Sequence, residues 1–170
     1  TDPVITGQAS GYNLRYQDQM VSKATANFPI VKSLLHFHDV VAHTSAGQVN
    51  GQGWVFLGDE IRVLVSAEGQ GANPGALMPD LADSADFRVR LMGTLDKPLI
   101  YGQGRATGLG SWAQGVGTAE GKFILAGKDV MLLDGSAVKG SSQVHLPLGN
   151  FNLDSRQFDG VVATQGFDLR

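Results

Sequence analysis

The stretch Ile61-Arg62-Val63-Leu64-Val65-Ser66-Ala67-Glu68 decides the fold. Successive side chains of an extended chain point to opposite faces. Ile61, Val63, Val65 and Ala67 therefore share one side, and Arg62, Leu64, Ser66 and Glu68 share the other. The same period recurs on both sides of this stretch. Phe87, Val89 and Leu91 alternate with Arg88 and Arg90. Met20, Ala24, Ala26 and Phe28 alternate with Lys23, Thr25 and Asn27, and Val144, Leu146 and Leu148 with His145. Each run has one apolar and one mainly polar side, the pattern of antiparallel strands with one wetted face.

Between the runs lie turn signals: Gly58-Asp59, Gly127-Lys128-Asp129, Asp134-Gly135, Lys139-Gly140-Ser141 and Asp159-Gly160. One stretch breaks the pattern. Residues 73–81 hold one or two helical turns at most, with Leu77, Met78 and Leu81 as their apolar side, and Pro79 stops anything longer. There is no second helix candidate of useful length. Glycine supplies 23 of 170 residues, well above a usual share of about 7%. Glycine disfavours helices and suits turns and bulges, so composition and periodicity agree on an all-β chain.

Composition also excludes functions. A net charge of −3 with no Lys/Arg cluster argues against nucleic acid as a partner. The absence of cysteine rules out a disulfide framework, a thiolate nucleophile and a Cys-ligated metal. No apolar run reaches the ~18 residues of a membrane-spanning helix, and none of these residues reads as a signal peptide, although the sequence starts abruptly at Thr1 and a targeting segment can precede it.

An internal repeat organises the chain. Residues 3–49 align without a gap on 98–144, a shift of 95, with 13 identities where roughly three are expected for this composition. They include Pro3/Pro98, Ile5/Ile100, Gly7/Gly102, Gln8/Gln103, Ala24/Ala119, Phe28/Phe123, Asp39/Asp134, Ala42/Ala137 and Val49/Val144. The expected units are 1–97 and a truncated 98–170, forming one continuous structural domain within a larger protein. Units of this kind stack and bury their ends against neighbours.

Leu91-Met92-Gly93-Thr94-Leu95-Asp96 followed by Pro98-Leu99-Ile100-Tyr101-Gly102 resembles the recurring G-T-L-x-x-P-x-x-x-G phrase of TamB-type proteins in the AsmA-like superfamily. A reduced form stands at Asp2-Pro3-Val4-Ile5-Thr6-Gly7. Residues 46–53 resemble that family's G-x-V-x-G-x-G strand, and residues 77–81 its L-x-P-x-L phrase. The sequence departs from the pattern at Ser84-Ala85, where Ser-Gly is common, and at Leu146-Pro147-Leu148, where the first unit has a glycine-rich strand. The resemblance implies a long antiparallel sheet curled lengthwise into an open, taco-like trough with an apolar inner face. It also implies a periplasmic segment of a protein anchored in the inner membrane, which moves phospholipid to the outer membrane.

Catalytic chemistry finds little support. His36 and His38 share a strand face beside Asp39 and near His43, an arrangement that can ligate a metal. The repeat, however, places Met131 and Leu133 at the equivalent positions and no third ligand is evident. Ordinary surface histidines are the simpler reading. No acidic pair, no G-x-S-x-G and no phosphate loop occurs, since nothing like G-K-[ST] follows Gly102-Gln103-Gly104. The expectation is no enzyme, no metal and no cofactor.

The apolar faces are then the candidate site: Phe28, Ile61, Val63, Val65, Phe87, Val89, Leu91, Ile100, Phe123 and Leu132. The leading expectation is a groove for phospholipid acyl chains, with an outer-membrane β-barrel partner reached through a region outside this stretch. Two alternatives stay open: a structural or adhesive β-repeat with a closed core, and a β-chaperone that offers its sheet edges to outer-membrane strands.

Overall fold

A computed structural model describes residues 3–16, 19–45, 47–73, 84–108, 117–155 and 157–166. Apart from turns and bends, these residues are almost entirely strand, and there is no helix among them. The strands are β1 (Val4–Tyr16), β2 (Gln19–Val31), β3 (Leu34–Thr44), β4 (Gly47–Phe56), β5 (Arg62–Ala72) and β6 (Ser84–Thr94). They continue as β7 (Pro98–Thr107), β8 (Thr118–Ala126), β9 (Asp129–Lys139), β10 (Ser142–Asn152) and β11 (Phe158–Gln165). All eleven form one sheet in chain order, each antiparallel to the next, open at β1 and at β11. The helical turns expected at 73–81 fall almost wholly outside the described residues.

The four alternating runs become β2, β5, β6 and β10. Gly58-Asp59, Gly127-Lys128 and Gly140-Ser141 lie between strands as expected. Two expected turns are instead strand interior. Asp134 lies within β9 at φ 52°, beside a register shift between Glu120 and Lys122 of the neighbouring β8. A residue in the left-handed region can be absorbed as a β-bulge, and Asp tolerates that region better than most. Asp39, with φ 51°, does the same inside β3. Asp159-Gly160 lies in β11, where Gly160 faces Gly149 across the ladder. Pro147 lies within the register shift between His145 and Leu148 of β10, the kind of place where a residue without an N–H is tolerated in a sheet.

Nothing in the described chain lies over this sheet. Val63 and Ala72 are its only buried hydrophobic side chains, and the accessible surface is 11540 Å². A compact protein of 18.0 kDa would expose about 8,000 Å². The closed core of a sandwich needs a second layer, and the described residues supply one sheet.

Candidate functional site

Residues directly opposite on antiparallel strands share a face, so the register defines what each face carries. One row runs Phe37, Gly53, Val65, Leu91, Ile100, Leu125, Val130, Phe151, Phe158 from β3 to β11. The next row runs Val40, Gly51, Ala67, Val89, Gly102, Phe123, Leu132, Gly149, Gly160. On the far side of the first lie Ile5, Ile30, Leu35, Val55, Val63, Gly93 and Pro98. No charged or hydrogen-bonding side chain interrupts these three rows. The apolar face is continuous across the whole sheet.

Phenylalanine rings laid over glycines smooth this face. A Cβ added to Gly53 would meet Phe37 at 2.8 Å, one at Gly69 would meet Phe87 at 2.6 Å, and one at Gly7 would meet Phe28 at 2.8 Å. Phe123 covers Gly102 in the same way, and Phe158 covers both Gly149 and Gly160. Each ring fills the space that its neighbour's missing side chain leaves, the arrangement known as aromatic rescue of strand glycines. Five of the eight phenylalanines of the chain are used like this.

Nine of the ten expected groove residues sit on this face. Val65, Leu91 and Ile100 occupy the first row, and Val89, Phe123 and Leu132 the second. Val63 lies in the third, Phe87 opposite Gly69, and Phe28 opposite Gly7. The exception is Ile61. It precedes β5, is 42% exposed, and belongs to the loop after Phe56 rather than to the ladder. Sequence alternation carried the pattern one residue too far because a loop residue next to a strand can keep the same parity. The sequence reading missed Phe37, Leu125, Val130 and Phe151, which complete the rows; their own strands alternate less cleanly because bulges shift the parity.

The opposite face is charged at its centre. Arg88 donates to Glu68 across the ladder at 3.0 Å, and Lys122 reaches Asp134 at 3.5 Å. A hollow of about 450 Å³ between Glu68, Asp86, Arg88, Arg105, Glu120 and Lys122 mixes both signs. The backbone N–H of Gly71 donates to Asp86 Oδ1 at 2.7 Å, within the register irregularity between Gly69 and Ala72 of β5. Arg62, Arg88 and Arg90 all lie on this face, away from the apolar rows.

The histidines are on the charged face. His36 stacks flat on Trp54, with centroids 3.9 Å apart, and its ring lies 5.5 Å from that of His38. His38 Nδ1 is 2.6 Å from Asp39 Oδ2, and Asn27 Nδ2 donates to the same oxygen at 3.2 Å. These two hydrogen bonds, His38 first, hold the Asp39 carboxyl below its usual pKa. No group of three or more metal-binding side chains occurs among the described residues.

No family model matches the chain, and neither a curated protein nor a solved structure does. No helix among the described residues is long and apolar enough to cross a membrane.

Proposed function

We propose that this sheet is part of a repeat-built trough whose apolar face carries phospholipid acyl chains between two membranes. The observation that carries the reading is the uncharged face running unbroken through eleven strands, with no second layer over it among the described residues. An apolar surface of that extent, left in water, calls for a partner. Each methylene that leaves water for such a surface gains about 0.8 kcal/mol, so an acyl chain is held without hydrogen bonds or a cofactor. Headgroups stay at the wet edge. The resemblance to TamB-type sequences agrees with this role and with a periplasmic setting.

The backbone supports the repeat. Eight of the eleven left-handed residues fall in four pairs 95 apart, Asn13 and Gly108, Lys32 and Gly127, Asp39 and Asp134, Gly71 and Gly166, whereas Gly47, Gly93 and Gly140 have no such mate. The register irregularity between Thr25 and Asn27 recurs between Glu120 and Lys122, and β3 and β9 have the same bounds after the shift. Gly7 faces Phe28 as Gly102 faces Phe123. On this reading six strands make one unit, and β7–β11 repeat β1–β5.

The test is a photo-reactive phenylalanine analogue placed at Phe123 on the apolar face and, separately, at Arg90 on the other, in the full-length protein in membranes. Phospholipid adducts at position 123 and none at 90 are expected. Adducts at both positions, or at neither, would remove the apolar face from any lipid path. Peptide recovered in place of lipid would instead favour a chaperone for outer-membrane strands.

A further inference from the structure

One side-chain cluster on the charged face is missing from the matching place 95 residues on. His36, His38 and Trp54 stand where that shift puts Met131, Leu133 and Gly149. The left-handed Asp beside them is kept, as Asp39 and Asp134, and so is the register irregularity next to it. Lys122 reaches Asp134 at 3.5 Å, in the place from which Asn27 reaches Asp39. The bulge therefore forms without histidine, and its needs do not account for the pair.

Each histidine ring is held by a different neighbour. His36 stacks on Trp54, which faces it across the β3–β4 ladder, with centroids 3.9 Å apart and ring planes 10° from parallel. Stacking occupies the face of an imidazole and leaves its edge, where both nitrogens lie. His38 Nδ1 is 2.6 Å from Asp39 Oδ2. A carboxylate only accepts, so Nδ1 carries the proton and Nε2 keeps its lone pair. A carboxylate placed behind a histidine in this way orients the ring and makes it a better metal ligand. Asn27 steadies the same oxygen at 3.2 Å. The two histidine centroids are 5.5 Å apart. Two imidazoles that share an ion, each nitrogen about 2.0–2.1 Å from it, have centroids roughly 4.5–5.5 Å apart as the angle at the ion opens from square to trigonal. The His38 side chain is 39% exposed, so an ion reaches it from solvent.

We infer that His36 and His38 form a two-imidazole site for a divalent transition-metal ion, copper(II) above all, with water completing the coordination. The sequence expectation of no metal rested on the missing third ligand, which an exposed site of this kind does not need. Imidazole suits copper, nickel and zinc, and affinity at a nitrogen site peaks at copper(II). Calcium and magnesium take oxygen ligands and are not held. Asp39 positions His38, and Trp54 positions His36. The site lies on the face opposite the apolar rows and does not rest on the lipid reading.

The test titrates copper(II) chloride into the whole chain in glycine buffer, which keeps the ion off isolated histidines. Calorimetry reads the stoichiometry. The chain has two tryptophans, so Trp112→Phe leaves Trp54 as the only indole fluorophore. One ion per chain and quenching of Trp54 are expected. His36→Gln and His38→Gln should each lower the affinity about tenfold or more, because the chelate loses one of its two nitrogens, and His43→Gln should leave it unchanged. Asp39→Asn should cost about tenfold while electron paramagnetic resonance still shows two imidazole nitrogens, as befits a positioning residue. A measurement without variants guards against misfolding: in proton NMR, a trace of copper(II) should broaden the ring signals of His36 and His38 before those of His43 and His145. Broadening that starts at His43 or His145, affinity unchanged in both His36→Gln and His38→Gln, or displacement of the copper by excess calcium or magnesium would each overturn the site.

Discussion

Replacing Gly102 by alanine tests whether the rings laid over glycines are structural. The new methyl group would sit 2.6 Å from Cε1 of Phe123 and 3.0 Å from Cγ1 of Val89. Ordinary contacts begin near 3.4 Å, so the ring must retreat by most of an ångström. It has little room, because Leu132 faces Phe123 from β9 and Val89 stands on the other side of Gly102. Overpacking of this kind costs about 1–3 kcal/mol. Alanine recovers about 0.5–1 kcal/mol by restricting the unfolded chain, since Gly102 has no left-handed backbone to lose. The net expectation is a destabilisation of about 1–2 kcal/mol. Gly7→Ala is the matched control, chemically the same change under the same kind of ring. There the contact is with Phe28 at 2.8 Å, and no strand among the described residues flanks β1 on its other side. The ring can tilt towards the open edge, so the net effect should lie near zero. Thermal melts followed by circular dichroism read the difference: about 2–4 °C in Tm per kcal/mol for a chain of this size. Equal shifts for the two variants would refute the argument, because the same substitution would then be insensitive to what flanks the glycine.

Val63→Asp puts an unpaired carboxylate on the apolar face at one of its most buried positions, 7% exposed. With no second layer above it among the described residues, the expected cost is a few kcal/mol with the sheet retained, and loss of lipid adducts at Phe123; complete unfolding in the melt would show that the face is sealed. Asp39 should titrate below its ordinary carboxyl value of 3.8, and His38→Ala should bring it back up, as followed by carboxyl NMR shifts. Because its folded pKa is depressed, the stability this carboxylate contributes is present above the ordinary value and is lost as pH falls through the depressed one. A midpoint that does not respond to His38→Ala would remove the hydrogen bond as its cause. Asp134→Gly should be tolerated, whereas Asp134→Val should cost about 1–2 kcal/mol more in denaturant melts, because a branched side chain does not suit φ 52°.

The eleven-strand sheet was legible in part because its signal is local. In β5 and β6, alternation is a property of consecutive residues and survives without knowledge of any partner. Asp134-Gly135 misled for a physical reason: a left-handed residue makes a turn when the chain reverses and a bulge when both neighbours stay paired, and the dipeptide is the same in either case. Asp159-Gly160 misled likewise, since Gly160 is there to receive the ring of Phe158. The ring-on-glycine pairs were within reach. Gly7, Phe28, Gly102 and Phe123 all stand among the repeat identities, and each Gly precedes its Phe by the same distance. What one strand alone cannot reveal is which residue faces which, and the rows through Phe37, Leu125 and Phe151 exist only at that level. Ile61 was lost at a strand boundary, where parity outlives pairing.

The strand order has a mechanical consequence. Each strand is bonded only to its predecessor and successor in the chain, so every pairing is local in sequence and the polypeptide never threads between distant parts of the sheet. Tension applied between the two termini would load the outermost ladders first and open them bond by bond, as a zipper opens. A strand of 11 residues such as β5 would release about 36 Å of extended chain when peeled. Under load, such a sheet yields in steps and re-forms from whatever remains paired, without passing through a single all-or-none rupture. In a device stretched between two attachment points, that compliance lets the span lengthen while the strands still in register keep their apolar rows aligned.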